Sequence, residues 1–133
     1  MLSLERRSLL ALLGLSPFAS AAACARPVEA REPVVLVRNK VNGEDYYDMR
    51  KSVKTLQVGE ELALRREPDN PHDRRAIEVL DMAGRKLGYV PRSDNVAVAR
   101  MMDAGERMRA RVTHVSRDWR FYEVRFALEW LRA

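Results

Sequence analysis

The sequence predicts a mainly β protein, a small OB-like or SH3-like barrel of about six strands carrying one clear helix. Three observations predict it. Two long segments near the C-terminus alternate apolar and polar residues with period two. Earlier runs of β-branched or alternating residues are short and separated by turn signals. A single stretch switches to helical spacing. A β-sandwich is the alternative arrangement of the same elements.

The elements follow in order. Val34-Val35-Leu36-Val37 is a β-branched run and predicts a strand. Asn42-Gly43 signals a turn, and Tyr46-Tyr47 come just after it. Residues 48–56 fit either a short helix or an irregular stretch. Gly59 opens a strand over 60–65, with Leu62 and Leu64 on its apolar face. Residues 67–74 hold two prolines, two aspartates and an asparagine, which makes them a loop. Strands over 76–80 and 86–90 flank the turn Asp81-Met82-Ala83-Gly84 and form a hairpin. Pro91-Arg92 end that strand. Ser93 is the expected N-cap of a helix over 95–104, whose apolar face is Val98, Met101 and Met102, with Gly105 as its C′ residue. In the next strand Met108, Ala110 and Val112 share one face and Arg107, Arg109 and Arg111 the other. His114 continues the apolar set and is expected half-buried there. After a turn at Ser116-Arg117-Asp118, Tyr122, Val124, Phe126, Leu128 and Trp130 share the inner face of the last strand, with Glu123, Arg125 and Glu129 outside.

A chain of 133 residues supports one compact domain. Residues 1–25 read as a signal peptide: the charged start Arg6-Arg7, a short apolar core, then a small-residue run. The arginine pair fits the twin-arginine type. Cys24, directly after Ala21-Ala22-Ala23, fits the lipoprotein type, in which it would carry lipid and attach the protein to a membrane. Residues 26–33 are a polar, proline-bounded linker, and 34–131 are the barrel domain. The protein is thus expected to be exported, to the periplasm or to a membrane-anchored place in the cell envelope. Because Cys24 is the only cysteine, an intrachain disulfide and a multi-cysteine metal site are both excluded.

The net charge is +5 and uneven: residues 26–84 hold 11 basic and 12 acidic residues, residues 85–133 hold 11 and 6. A basic excess in one half fits a polyanionic partner. The Arg107/Arg109/Arg111 stripe, with Arg125 opposite, could follow a phosphate backbone. It could equally be a solvated face balanced by Glu123, Glu129 and Asp118.

Chemistry concentrates in Arg66-Glu67-Pro68-Asp69-Asn70-Pro71-His72-Asp73. Asp69, Asn70 and Asp73 can bond neighbouring backbone amides and fix this loop without any ligand. With Tyr46, Tyr47, Tyr89 and Arg92 beside it, the loop becomes one wall of a pocket suited to bases, which stack on rings while guanidinium groups neutralise phosphates. An enzyme would have to use His72, His114, Asp69 and Asp73, whose spacing matches no metal-ligand pattern. No Gly-rich phosphate loop with a lysine is present. No catalysis and no cofactor are expected.

The run from Leu64 to Val79, followed by Gly84-Arg85-Lys86-Leu87-Gly88-Tyr89-Val90-Pro91-Arg92, resembles the HIRAN domain. The resemblance covers about residues 34 to 118 and includes the upstream Tyr46-Tyr47 pair. It implies an OB-like barrel and a non-catalytic module that binds nucleic acid, in particular single-stranded DNA at a free 3′-hydroxyl end. It further implies that Tyr46 and Tyr47 stack on the terminal bases and that Asp73 accepts a hydrogen bond from the 3′-hydroxyl. Asn70 and His72 would line the same pocket, and Tyr89 and Arg92 would touch the sugar–phosphate chain. Two positions depart from a DNA-binding member of the family: Asp45 replaces an arginine and His72 a tyrosine. Hydrolase chemistry in the family belongs to ATPase domains fused to it. The alternative is an exported envelope protein that uses the same barrel to bind a protein or another ligand that is not nucleic acid.

Overall fold

The computed structural model describes residues 31–43, 47–118 and 120–133. The leader, Cys24, Asp45 and Tyr46 lie outside the described residues. The elements are β1 (Val34–Lys40), α1 (Met49–Ser52), β2 (Glu61–Arg66), β3 (Ile77–Leu80), β4 (Lys86–Tyr89), α2 (Arg92–Asp103), β5 (Met108–Asp118) and β6 (Phe121–Trp130). The six strands form one antiparallel sheet in the order β1-β6-β5-β2-β3-β4. The chain leaving β1 then returns to the far edge. Asn42 donates its N–H to the Tyr89 carbonyl at 2.9 Å, and Tyr89 donates back at 2.8 Å. This pair joins the two ends of the sheet into a small barrel, the architecture expected.

Gly88 makes the junction possible. A Cβ at this position would lie 2.1 Å from the Asn42 carbonyl oxygen and 2.7 Å from Val41 Cγ1. Only a residue without a side chain lets the two backbones approach this closely.

The inner face is filled by the alternating residues of the long hairpin: Val124, Phe126 and Leu128 from β6, and Ala110 and Val112 from β5. Leu62, Ile77, Val79 and Leu87 complete the wall. From α1 and the turn after it, Met49, Val53 and Leu56 reach into the same core. Together with buried Ser52 they stand at i, i+3, i+4 and i+7, so the open stretch 48–56 resolves as a helical turn with one buried stripe.

Three local expectations are corrected. First, α2 starts at Arg92 behind Pro91 and carries no side-chain cap, so Ser93 is inside the helix. Proline sets the entry dihedral and lacks the N–H that would need capping. The other end is as expected: Gly105 N–H bonds Met102 O and Glu106 N–H bonds Met101 O, each at 3.0 Å, a Schellman closure. Second, β5 runs on to Asp118, which pairs with Phe121, so Ser116, Arg117 and Asp118 are strand and not turn. Third, His114 is exposed. A bulge between Val112 and His114 inserts Thr113 and flips the alternation, so that Val115 packs against the core and His114 faces out, opposite Arg125.

The arginine stripe of β5 is largely matched within the sheet. Arg109 Nε bonds Glu129 Oε2 at 2.6 Å, and Arg111 lies 3.8 Å from Glu129 Oε1. Arg125 pairs with Glu123 at 2.7 Å.

Candidate functional site

A cleft of about 320 Å³ opens where the barrel closes. Asn42 and Gly43 form one wall, the loop between β2 and β3 another, and the start of α2 a third. Tyr47, Asn70, His72, Asp73, Tyr89 and Arg92 all line it. Six of the seven expected nucleic-acid contacts therefore meet in one place, and the seventh, Tyr46, is not described. Asp69 lies at the turn of the loop, outside this cleft, and lines a second groove of about 570 Å³ that shares Asn70, His72 and Asp73 with it.

The loop is built around Asn70. Its Oδ1 accepts from the N–H groups of His72 (2.9 Å) and Asp73 (3.1 Å). Its Nδ2 donates to Glu67 Oε2 at 2.8 Å and reaches Tyr89 Oη at 3.4 Å. Asn70 thus shapes the wall with most of its amide already bonded. Arg66 fixes the base of the loop by donating to the carbonyls of Ala76 (2.6 Å) and Arg74 (2.9 Å).

Asp73 has a fixed orientation. One carboxylate oxygen accepts from the Arg75 N–H at 2.9 Å. The other accepts from Asn95 Nδ2 at 2.7 Å and lies 3.8 Å from Arg92 Nε. The Arg75 amide, working against partial burial and helped by Asn95 and Arg92, holds the Asp73 pKa below the usual carboxylate range. The group is an anion at neutral pH, with lone pairs left to accept from a ligand. Arg92 also donates to the His72 carbonyl at 2.5 Å. The His72 imidazole is exposed and makes no hydrogen bond among the described residues.

The aromatic wall rests on a half-buried ion cluster around the buried Glu78. Tyr47 and Tyr89 meet edge to face, with centroids 5.7 Å apart. Tyr89 donates its hydroxyl to Glu67 Oε2 at 2.6 Å and accepts from Lys86 Nζ at 2.6 Å. Burial and the bond to Glu67 raise its pKa, so it stays a neutral phenol. Lys86 Nζ also lies 3.0 Å from Glu78 Oε1 and 4.4 Å from the Tyr47 ring centroid, a cation–π distance. Burial opposes the charge on Lys86, but the bonds to Tyr89 and Glu78 outweigh it and raise its pKa. In Glu78, whose side chain is 4% exposed, burial likewise pushes the pKa up, and Arg65 and Lys86 reverse it to a net lowering.

Tyr47 stands two residues before α1, and this segment is clamped to the β3–β4 hairpin. Asp48 N–H bonds Lys86 O at 3.0 Å, and Ser52 Oγ donates to Asp81 Oδ2 at 2.7 Å. Tyr47 lies in no strand.

Reasoning from sequence missed Asn42, Lys86 and Asn95. Asn95 was legible only as the start of a helix, yet it is 2% exposed and binds Asp73. A buried asparagine on the inner stripe of an amphipathic helix, at i−3 from Val98, is the signal that could have found it. Among the described residues no group of three or more His, Cys, Asp or Glu side chains could hold a metal.

The site and the barrel together define a small binding module, and comparison with known proteins gives its family. The chain belongs to the HIRAN domain family, whose model matches residues 34–130. Helicase-like transcription factor from Mus musculus is 37% identical over 67 residues, 50% of this chain but 6% of that protein. The Oryctolagus cuniculus protein of the same name is 36% identical over the same length. The chain therefore corresponds to a small part of these relatives. Among solved structures, a protein from Lactobacillus plantarum superposes with a TM-score of 0.69 at 34% identity, over 77% of this chain and 98% of that one. The HIRAN domain of human HLTF superposes with a TM-score of 0.59 at 24% identity, over 71% and 73% of the two chains, which shows a shared fold.

Proposed function

We propose that this domain binds single-stranded DNA at a free 3′-hydroxyl end and does so without catalysis. The observation that carries the reading is Asp73, an oriented carboxylate in the cleft facing an aromatic wall. A terminal hydroxyl can donate to it, whereas a terminal phosphate would meet a like charge. Tyr47, with Tyr46 before it in sequence, offers a stacking surface worth about 1–3 kcal/mol per base. Arg92 at the mouth neutralises the adjoining phosphate. Membership of the HIRAN family, and relatives named as helicase-like transcription factors, support a nucleic-acid ligand.

Fluorescence anisotropy with a 5′-labelled single strand tests this directly. Binding is expected to a 3′-hydroxyl end and to weaken about tenfold or more when that end carries a phosphate. Asp73→Ala should abolish the discrimination while keeping residual affinity for the strand. No binding at low salt, or equal binding of free and blocked ends by the unaltered protein, would overturn the reading.

The same proposal puts an export leader within residues 1–25, cleaved directly before Cys24, which then carries lipid as the first mature residue. The charged start and small-residue run of that segment support it. Mass analysis of the N-terminus of the protein recovered from its host is the test. An unmodified, uncleaved N-terminus would remove both claims.

A further inference from the structure

The β2–β3 loop and α2 lie side by side, tied at both ends. At the N-terminal end of α2, Asn95 bonds Asp73 and Arg92 bonds the His72 carbonyl. At the C-terminal end Arg66 bridges the two elements, donating from Nε to Asp103 Oδ1 at 2.9 Å and from Nη2 to the Arg74 carbonyl at 2.9 Å. The outward face of α2 carries Arg92, Val96 and Arg100 at i, i+4 and i+8, all exposed, with small Ser93 and Ala97 beside them. Arg74 and Arg75 are exposed on the loop alongside.

The carboxylates of this region are mostly matched already. Asp94 bonds Asn39 Nδ2 at 2.6 Å, and Asp103 pairs with Arg66. Asp73 is held within the cleft as described above. Asp69, exposed at the turn of the loop, makes no side-chain hydrogen bond or ion pair among the described residues. Arg74, Arg75, Arg92 and Arg100 are thus exposed cations on two elements that lie side by side, and Arg92 belongs both to this basic set and to the cleft.

We infer that this basic set is a track for the phosphate backbone of a strand whose end occupies the cleft. The inference rests on the end-binding reading for its starting point. From Arg92 to Arg100 the helix advances about 12 Å, the length of roughly three to four stacked nucleotides. Arginine suits the task because its planar fork binds phosphate oxygens in pairs. Val96 and Ala97 leave a low apolar surface between the two cations, against which sugars can lie.

The test uses the full chain and labelled oligothymidylates of about three and about eight nucleotides, each with a free and a phosphorylated 3′ end, at several salt concentrations. The unaltered protein is expected to bind the longer strand at least about tenfold more tightly. Arg100→Glu and Arg74→Glu should each remove most of that gain and leave the short strand unaffected. Each lost phosphate contact should flatten the slope of log affinity against log salt by about 0.7. Arg100→Gln removes the charge without reversing it, and circular dichroism checks that each variant folds. Absence of a length gain, or a gain that survives in both variants, overturns the track while leaving the cleft reading in place. A longer strand that binds equally with either end, yet depends on Arg100, upholds the track and overturns end reading. Absence of binding at every length removes both.

Discussion

Replacing Gly88 by alanine strikes the closure of the barrel and the rim of the cleft together. The new methyl would sit 2.1 Å from the Asn42 carbonyl oxygen, a backbone atom that cannot swing aside as a side-chain tip can. Relief requires the chain after β1 to move off β4, which breaks both hydrogen bonds between Asn42 and Tyr89. Two backbone bonds at about 0.5–1.5 kcal/mol each, plus overpacking of about 1–3 kcal/mol, give a destabilisation of about 2–6 kcal/mol. Domains of this size have about 5–15 kcal/mol in all. Urea denaturation followed by circular dichroism should show the midpoint falling by about 1–3 M for a slope near 2 kcal/mol per M. Gly84→Ala is the matched control, because nothing lies within 4 Å of its Cβ and only its positive φ of 83° is strained. That variant should lose about 1–2 kcal/mol. If Gly88→Ala lost no more than Gly84→Ala, close approach at the seam would not be what the glycine serves.

Three further outcomes follow from the same contacts. Asp81 is buried against Ser52 and Arg85. Burial raises its pKa, and the Ser52 hydroxyl with the Arg85 amide and guanidinium outweighs this to a net lowering. The pKa values of Asp73, Glu78 and Glu123 are lowered too. Such groups contribute stability above their unfolded pKa values near 4, lost as pH falls through the folded ones, so unfolding free energy should decline below about pH 4. Asp81→Asn should flatten that decline, and an unchanged acid limb would contradict the assignment. Lys86→Met leaves Glu78 with Arg65 alone and removes a donor from Tyr89. A loss of about 2–4 kcal/mol in thermal unfolding is expected, and a loss under about 0.5 kcal/mol would refute the ion cluster as a support. Phe126→Ala, at the centre of the long hairpin, should cost about 3–5 kcal/mol by the same measurement.

Much of this was legible in the sequence, for definable reasons. The hairpin of β5 and β6 is one-sided, so its period-two pattern gave both faces. The Asn70–Asp73 loop announced itself because its side chains bond locally, within three residues of one another. What stayed hidden depends on long-range pairing. The bulge at Val112–His114 changes no residue type, yet it turns His114 outward. Helix α1 is four residues long, and its stripe Met49, Ser52, Val53 and Leu56 contains a serine whose burial makes sense only beside Asp81. Lys86 alternates as an ordinary surface residue until Glu78, Tyr47 and Tyr89 converge on it.

The bulge in β1 bears on how the domain keeps to itself. Beyond Asn42, no strand among the described residues pairs with the outer edge of Val34–Lys40. Val35 and Leu36 are both exposed there, at 36% and 38%. A straight apolar edge of this kind is a template for another chain's strand. The register break between Val35 and Val37 spoils that template, and Arg38 and Lys40 place positive charge further along it. Colloidal behaviour, more than stability, is therefore what this edge governs: straightening it or removing its charges would favour strand-to-strand association while leaving the barrel's own fold intact.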